Sequence, residues 1–225
     1  MTDDRIARLI RGSRDFRKRE YTDQLSRMRE LAEGQSPEIL MISCMDSRVE
    51  PALIFDTEPG QMFTVRNVAN LVPPFRSGRP TLDSAIAAVE FAVVSVGVSH
   101  VVVMGHSRCR GIELAMEAAS GYSSIDSEPI GEWLETAAPV CRRILDDTEV
   151  SDLDDVHAAA RHAGQESVNN SIRNLLSYPW ISDRVESGDL ELHGWWFEIE
   201  TGYLWGAKPD GTFMPLDRNP ASGPE

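Results

Sequence analysis

Cys44, His106 and Cys109 are residue types that bind a borderline metal ion, and the last two stand in an H-x-x-C spacing. Zinc takes thiolate and imidazole ligands in a tetrahedron, and three protein ligands leave a fourth position open for chemistry. Taken singly, each residue can equally be a small buried thiol or a hydrogen-bonded loop imidazole. Asp46 and Arg48 follow Cys44 by two and four residues in CMDSR. A carboxylate and a guanidinium that close can pair beside such a metal, or simply with each other across a loop.

For Cys44 to meet His106 and Cys109, the elements before them must deliver both segments to one place. EILMIS (38–43) is a short apolar run leading into Cys44, as expected of a buried parallel strand, and HVVVM (100–104) is a second, bounded by Gly105. Open parallel sheets gather their ligand sites outside the C-terminal strand ends, so both segments are expected just past such ends. MFTVR (62–66) gives a third strand after the turn signal Glu58-Pro59-Gly60.

Between these strands, Thr81 is positioned to cap a helix whose apolar positions Leu82, Ile86, Val89, Val93 and Val96 step by four and three before Gly97. From Ile112 to Leu176 the pattern is mainly helical, with breaks at Gly121, Pro129, Pro139 and 148–152. LELHGWWFEI (190–199) supplies a further strand, and YLWGA (203–207) can pair with it across Thr201-Gly202. Ile6, Leu9, Phe16, Leu25, Met28 and Leu31 recur at helical intervals amid charge, with Gly34 as a stop. The expected architecture is α/β: a central, mostly parallel β-sheet flanked by helices, with an N-terminal helical arm over 1–33. A single domain over 1–225 is expected, with a loose tail at 217–225.

The bulk properties limit what such a site can serve. A chain of 225 residues with 41% hydrophobic content can bury one sizeable core. A net charge of -14 repels phosphate backbones and anionic lipid, so neither nucleic acid nor a membrane surface is an expected partner. Three cysteines are too few, and odd in number, for a disulfide framework, which favours a reducing compartment. Cys141, on a predicted helix, is expected to be a core thiol. The N-terminal stretch lacks the continuous apolar run of a secretory signal, and the apolar region 91–104 is interrupted and too short to span a bilayer. A cytoplasmic protein is expected.

Three ordered motifs add a resemblance: C-x-D-S-R-V at 44–49, R-N-V-A-N at 66–70 and G-H-S-x-C at 105–109. Together they resemble the signature of β-class carbonic anhydrases, in the plant-like branch, over roughly 35–207. The resemblance implies Zn²⁺ held by Cys44, His106 and Cys109. It implies reversible hydration of carbon dioxide to bicarbonate and a proton, carried out by hydroxide on the zinc, with Asp46 and Arg48 as the catalytic pair. In that family the aspartate either pairs with the arginine in an open form or becomes a fourth ligand in a closed, inactive form. The resemblance further implies that Gln35 offers a hydrogen bond to substrate, that Phe63, Val68 and Phe91 line a small apolar pocket, and that a homodimer or an assembly of dimers forms. Two thiolates cancel the formal charge of Zn²⁺, so hydration is expected to gain speed above neutral pH.

Three departures from the family pattern carry expectations of their own. Met41 stands where the branch with bicarbonate-triggered closure has tryptophan, which favours the open form. Phe91 stands where tyrosine is frequent, so a hydroxyl is missing. Arg110 and Gly111 replace a Gly-Gly pair whose first member lends a backbone N–H to the bound anion, and an arginine there is expected to crowd that approach or to exclude a positive φ. Two alternatives follow: hydrolysis of a related small electrophile such as carbon disulfide or carbonyl sulfide, or a low-activity zinc- or bicarbonate-binding module in which Arg110 has closed the approach.

Overall fold

Alternation of side chains decides how β1 (Ile39–Cys44) sits: Leu40 and Ile42 point to one face, Met41 and Ser43 to the other, and all four are buried. Only a strand covered on both faces can be apolar on both. It lies between β2 (Met62–Asn67) and β3 (His100–His106), parallel to each, and β3 is parallel in turn to β4 (Glu191–Phe197). Two short antiparallel strands, β5 (Leu204–Ala207) and β6 (Phe213–Pro215), complete a sheet of order β2-β1-β3-β4-β5-β6. The computed structural model describes residues 4–23, 25–76 and 83–216.

One face of the sheet is thickly covered. Leu40, Ile42, Val101, Val103 and Trp196 pack there against α4 (Ser84–Glu90), α8 (Leu153–Leu176) and α9 (Pro179–Glu186). A second layer joins α8 to α5 (Arg110–Ser120) and α7 (Ala138–Asp146), with α6 (Glu128–Leu134) beside them. Close approach of α8 depends on Gly164, where a Cβ would lie 2.6 Å from the ring of the buried Trp196. The opposite face is thin: Met41, Val102 and Met104 are covered by Ile54 of the single-turn α3 (Pro51–Ile54), by Phe55, and by Trp195, Phe197 and Leu204.

The expected α/β class with a mostly parallel sheet is the observed one, and several boundaries move. Both strands run further than expected, so that Cys44 and His106 are the last residues of β1 and β3 rather than residues beyond them. The register of β3 on β4 continues through His106 opposite Phe197, which keeps the strand extended. Asp83 is the cap of α4, accepting from Ala85 N at 2.8 Å, whereas Thr81 and Leu82 lie outside the described residues, as does the expected tail 217–225. Pro129 and Pro139 stand in the first turns of α6 and α7, where a missing N–H costs nothing, so they begin helices rather than break them.

The structure falls into two compact units, 1–36 and 37–225. The first contains α1 (Asp4–Asp23) and α2 (Leu25–Glu33), the helices expected at 1–33. Among the described residues no helix is long and apolar enough to cross a membrane.

Candidate metal centre

Cys44 ends β1 and His106 ends the neighbouring β3, so the parallel sheet brings the two side by side at its C-terminal edge. Cys109 caps the start of α5, three residues on. Each of the three has no more than 5% of its surface exposed. One ligand atom from each lies within 4.8 Å of the others, and the two sulfurs are 3.9 Å apart. With Zn–S bonds of about 2.3 Å, a tetrahedral site sets its sulfurs ~3.8 Å apart. His106 Nδ1 is committed to the Ser107 carbonyl at 2.8 Å, and its buried Nε2 has no hydrogen-bond partner. A buried, unpaired ring nitrogen facing two thiols is costly unless a cation fills the place. The donor set therefore fits zinc.

The thiols themselves point the same way. The Cys44 and Cys109 sulfurs stand within hydrogen-bond reach, so the Cys44 thiol is drawn down by Cys109, against burial and with help from His106. The Cys109 thiol is pushed up by Cys44 and by burial. A second thiolate needs a cation beside it. Cys141, by contrast, is a core thiol as expected, and burial alone pushes it up to about 12.

Asp46 faces Arg48 through both carboxylate oxygens, accepting from Nε at 2.9 Å, from Nη2 at 2.6 Å and from the Arg48 backbone N–H at 2.9 Å. Those bonds, Arg48's side-chain contacts first, hold the Asp46 carboxyl at about 2. It is thus paired as in the open arrangement and is not among the three groups that converge. Arg48 Nη2 also donates to the Arg108 carbonyl at 2.9 Å. Arg108 adopts a left-handed φ of 56°, rare for a residue with a Cβ, and the turn brings that carbonyl round to Arg48. One guanidinium thus ties the loop after β1 to the loop after β3.

Three further groups support this arrangement, and the residue types and spacing that mark the ligands do not mark them. Arg66 on β2 donates from Nε to the Cys44 carbonyl at 3.0 Å and from Nη2 to the Asp46 carbonyl at 2.6 Å, while its Nη1 pairs with Glu50. Ser107 Oγ donates to Glu200 at 2.6 Å and accepts from Ile199 N at 2.9 Å, and Arg108 Nε donates to the same carboxylate at 2.9 Å. Trp133 Nε1 donates to the Val68 carbonyl at 2.8 Å. Arg66 falls inside the R-N-V-A-N motif, the one signal available. Ser107 and Glu200 are 93 residues apart and leave no pattern in the chain.

The remaining predicted residues are more scattered. Phe63 and Phe91 meet edge to face at 6.4 Å, with Phe91 55% exposed. Val68 instead borders a cavity of about 820 Å³ with Trp133, Ile130 and Tyr178, which takes in neither phenylalanine. Gln35 is exposed and belongs to the other unit. Gly111 has a packing reason of its own: a Cβ there would lie 2.9 Å from Val68 Cγ1 and 3.1 Å from Ala69 Cβ. Arg110 differs from expectation. It opens α5 with helical backbone, so no positive φ is needed there, and its guanidinium turns to the buried Glu117, with Nη2 at 3.2 Å, and towards Glu113 at 3.6 Å. His157 Nε2 meets the same Glu117 at 2.9 Å. A second cavity, of about 460 Å³, is bordered by His106, Cys109, Glu113, His157 and Arg161.

A family model described as carbonic anhydrase matches residues 39–204. The chain is 38% identical over 186 residues to β carbonic anhydrase 5, chloroplastic, of Arabidopsis thaliana, covering 82% of this chain and 58% of that one. It therefore spans little more than half of that relative's length. It is 33% identical over 196 residues to a carbonic anhydrase of Helicobacter pylori, covering 86% of each. Among solved structures, the β-carbonic anhydrase CcaA superposes with a TM-score of 0.83 at 30% identity, over 96% of this chain and 94% of that one. A tetrameric β-carbonic anhydrase of Sordaria macrospora superposes at 0.75 with 26% identity, over 96% and 98%.

Proposed function

The chain belongs to the carbonic anhydrase family, in its β class, and from that membership we propose that it catalyses the reversible hydration of carbon dioxide to bicarbonate and a proton. The observation that carries the proposal is the buried Cys44–His106–Cys109 triad with its unpaired Nε2, beside a carboxylate that Arg48 keeps ionised. Zinc held by the triad would supply Lewis acidity to a water, tempered by the two thiolates so that the nucleophile gains above neutral pH.

The chain's own residues then do three things. Asp46 accepts a hydrogen from the attacking oxygen and so aims its free lone pair at the carbon of the substrate, a proximity effect. Held at about 2, Asp46 is too weak a base to keep that proton, so its role is orientation. Arg48 fixes the carboxylate plane through a two-pronged contact, and Arg66 fixes the backbone on either side of it. By the family resemblance, Phe63 and Phe91, which meet edge to face, are assigned to an apolar approach for carbon dioxide.

A homodimer or an assembly of dimers accords with the exposed Leu9 and Ile10 of α1 and with the tetrameric Sordaria relative. A cytoplasmic, reducing location accords with three free, buried cysteines, two of which must stay reduced to bind zinc.

Stopped-flow carbon dioxide hydration by zinc-loaded and chelator-stripped protein tests the proposal. Activity should follow zinc content and should largely vanish in Asp46→Ala while zinc stays stoichiometric. Stoichiometric zinc with no hydration from pH 7 to 9 would overturn the activity, and full turnover in Asp46→Ala would remove Asp46 from it.

A further inference from the structure

The opposite end of the same sheet carries a second convergence of metal-binding side chains. The parallel register sets His100, the first residue of β3, beside Glu191, the first of β4, and His193 follows two residues on, so all three stand on one face. His100 Nδ1 lies 3.2 Å from His193 Nε2, and a Glu191 oxygen lies 4.0 Å from the first and 3.8 Å from the second. We propose that His100, Glu191 and His193 form a second binding site, separate from the Cys44–His106–Cys109 centre, for a divalent transition-metal cation of the zinc class.

The distances suit such an ion. With bonds of about 2.0–2.1 Å, two imidazole nitrogens on a tetrahedral zinc stand ~3.3 Å apart, close to the observed separation. The Glu191 side chain is 68% exposed, so closing the remaining few tenths of an ångström costs it one rotamer adjustment. The two rings are tilted by 43° with centroids 5.3 Å apart, which lets the nitrogens converge instead of stacking the faces. Trp195 walls the inner side of His193 at 6.2 Å.

The backbone beneath is fixed: Ser99 N and His100 N both donate to the Glu38 carbonyl, and Glu191 N donates to the Ser99 carbonyl at 2.9 Å. Both histidines are only partly covered, leaving room for an ion to enter and for water to fill its remaining positions. Two imidazoles and one carboxylate select zinc, nickel or copper over magnesium or calcium.

Six residue steps along β3 take the chain from His100 to His106, about 20 Å in an extended strand, so the two sites share no ligand. A bound ion would clamp the first residues of β3 to those of β4. Binding to the folded form alone stabilises it in proportion to free metal.

Tag-free protein, already zinc-loaded, is dialysed near neutral pH against micromolar free zinc with millimolar magnesium present. Two zinc ions per chain are expected in the wild type, and one in His100→Gln and in His193→Gln, with carbon dioxide hydration unchanged in both variants. Copper(II) added to zinc-loaded wild type should give an electron paramagnetic resonance signal with coupling to two nitrogens, which each variant loses. One zinc per chain in the wild type together with no nitrogen-coupled copper signal overturns the site and leaves the short contact as a histidine–histidine hydrogen bond. So does a second zinc that persists in both variants. Should a variant fail to fold, the wild-type stoichiometry and copper spectrum decide.

Discussion

Arg66→Lys is the substitution that best separates a designed support from incidental packing. Arg66 is 24% exposed and splits its guanidinium three ways, to the carbonyls of Cys44 and Asp46 and to the Glu50 carboxylate. A lysine ammonium is a single point with the same charge and cannot reach two carbonyls two residues apart together with Glu50. Hydrogen bonds from a charged donor are worth roughly 1.5–3 kcal/mol each, so loss of one places Arg66→Lys about 2 kcal/mol below wild type. Arg66→Ala loses both and should cost about 4 kcal/mol by the same arithmetic. Glu50 is 42% exposed, so Glu50→Ala should cost only about 0.5–1 kcal/mol.

The order of these losses tests whether the carbonyl contacts or the ion pair matter. Urea unfolding of zinc-loaded protein at one fixed concentration gives the stability differences, provided the slope with denaturant stays constant. Because the released carbonyl is that of Asp46 or of Cys44, activity should fall as well, by about 10- to 100-fold for a displacement near 1 Å. If Arg66→Lys matches Glu50→Ala in both unfolding midpoint and hydration rate, the carbonyl contacts support nothing and the reasoning fails.

Arg110→Gly should leave hydration within about twofold of wild type and cost about 1–3 kcal/mol, because the buried Glu117 keeps only His157 as partner. A tenfold gain in rate would reinstate Arg110 as an obstruction. Glu200, drawn to about 2 by Ser107 first and Arg108 second, has a folded pKa below its unfolded value of about 4.3. Its contribution is thus complete above that unfolded value and lost as pH falls towards the folded one. The stability gap between wild type and Glu200→Gln, about 1 kcal/mol for so exposed a carboxylate, should be flat above pH 5 and close on acidification. A gap that widens in acid would contradict the assignment. Gly164→Ala should destabilise by about 2–3 kcal/mol, since the new Cβ meets the Trp196 ring at 2.6 Å inside a packed layer. An unchanged melting temperature would mean that α8 and β4 can separate freely.

The metal ligands were legible because their placement is local twice over. An apolar run names a strand, the residue at its end names the ligand, and parallel pairing of β1 with β3 does the rest. The supports were not legible for the opposite reason. Arg66 reaches main-chain carbonyls, which every residue possesses, and Ser107 finds Glu200 only after the six elements between them, α5 to α9 and β4, have packed. Boundaries failed where tertiary pairing overrode local signs: Gly105 suggests a strand end, yet β4 carries β3 past it. Pro129 and Pro139 suggest breaks, yet each sits where a helix can begin. Single-turn α3 and three-residue β6 offer too few residues for any period to register.

Arg110 shows how a family pattern and a physical reading can part. The pattern places a glycine there, which invites the inference that the backbone needs a left-handed turn. In the turn that leads into α5 it is Arg108, two positions earlier, that is left-handed, and its carbonyl is the one that Arg48 holds. The strain is thus located where the two ligand loops are tied together, and position 110 is released to begin a helix. An arginine can then stand at 110 because α5 and α8 supply Glu113, Glu117 and His157 to receive it. The substitution and its receiving carboxylates form one unit, so replacing Arg110 alone should be felt in the packing of α5 against α8 before it is felt at the metal.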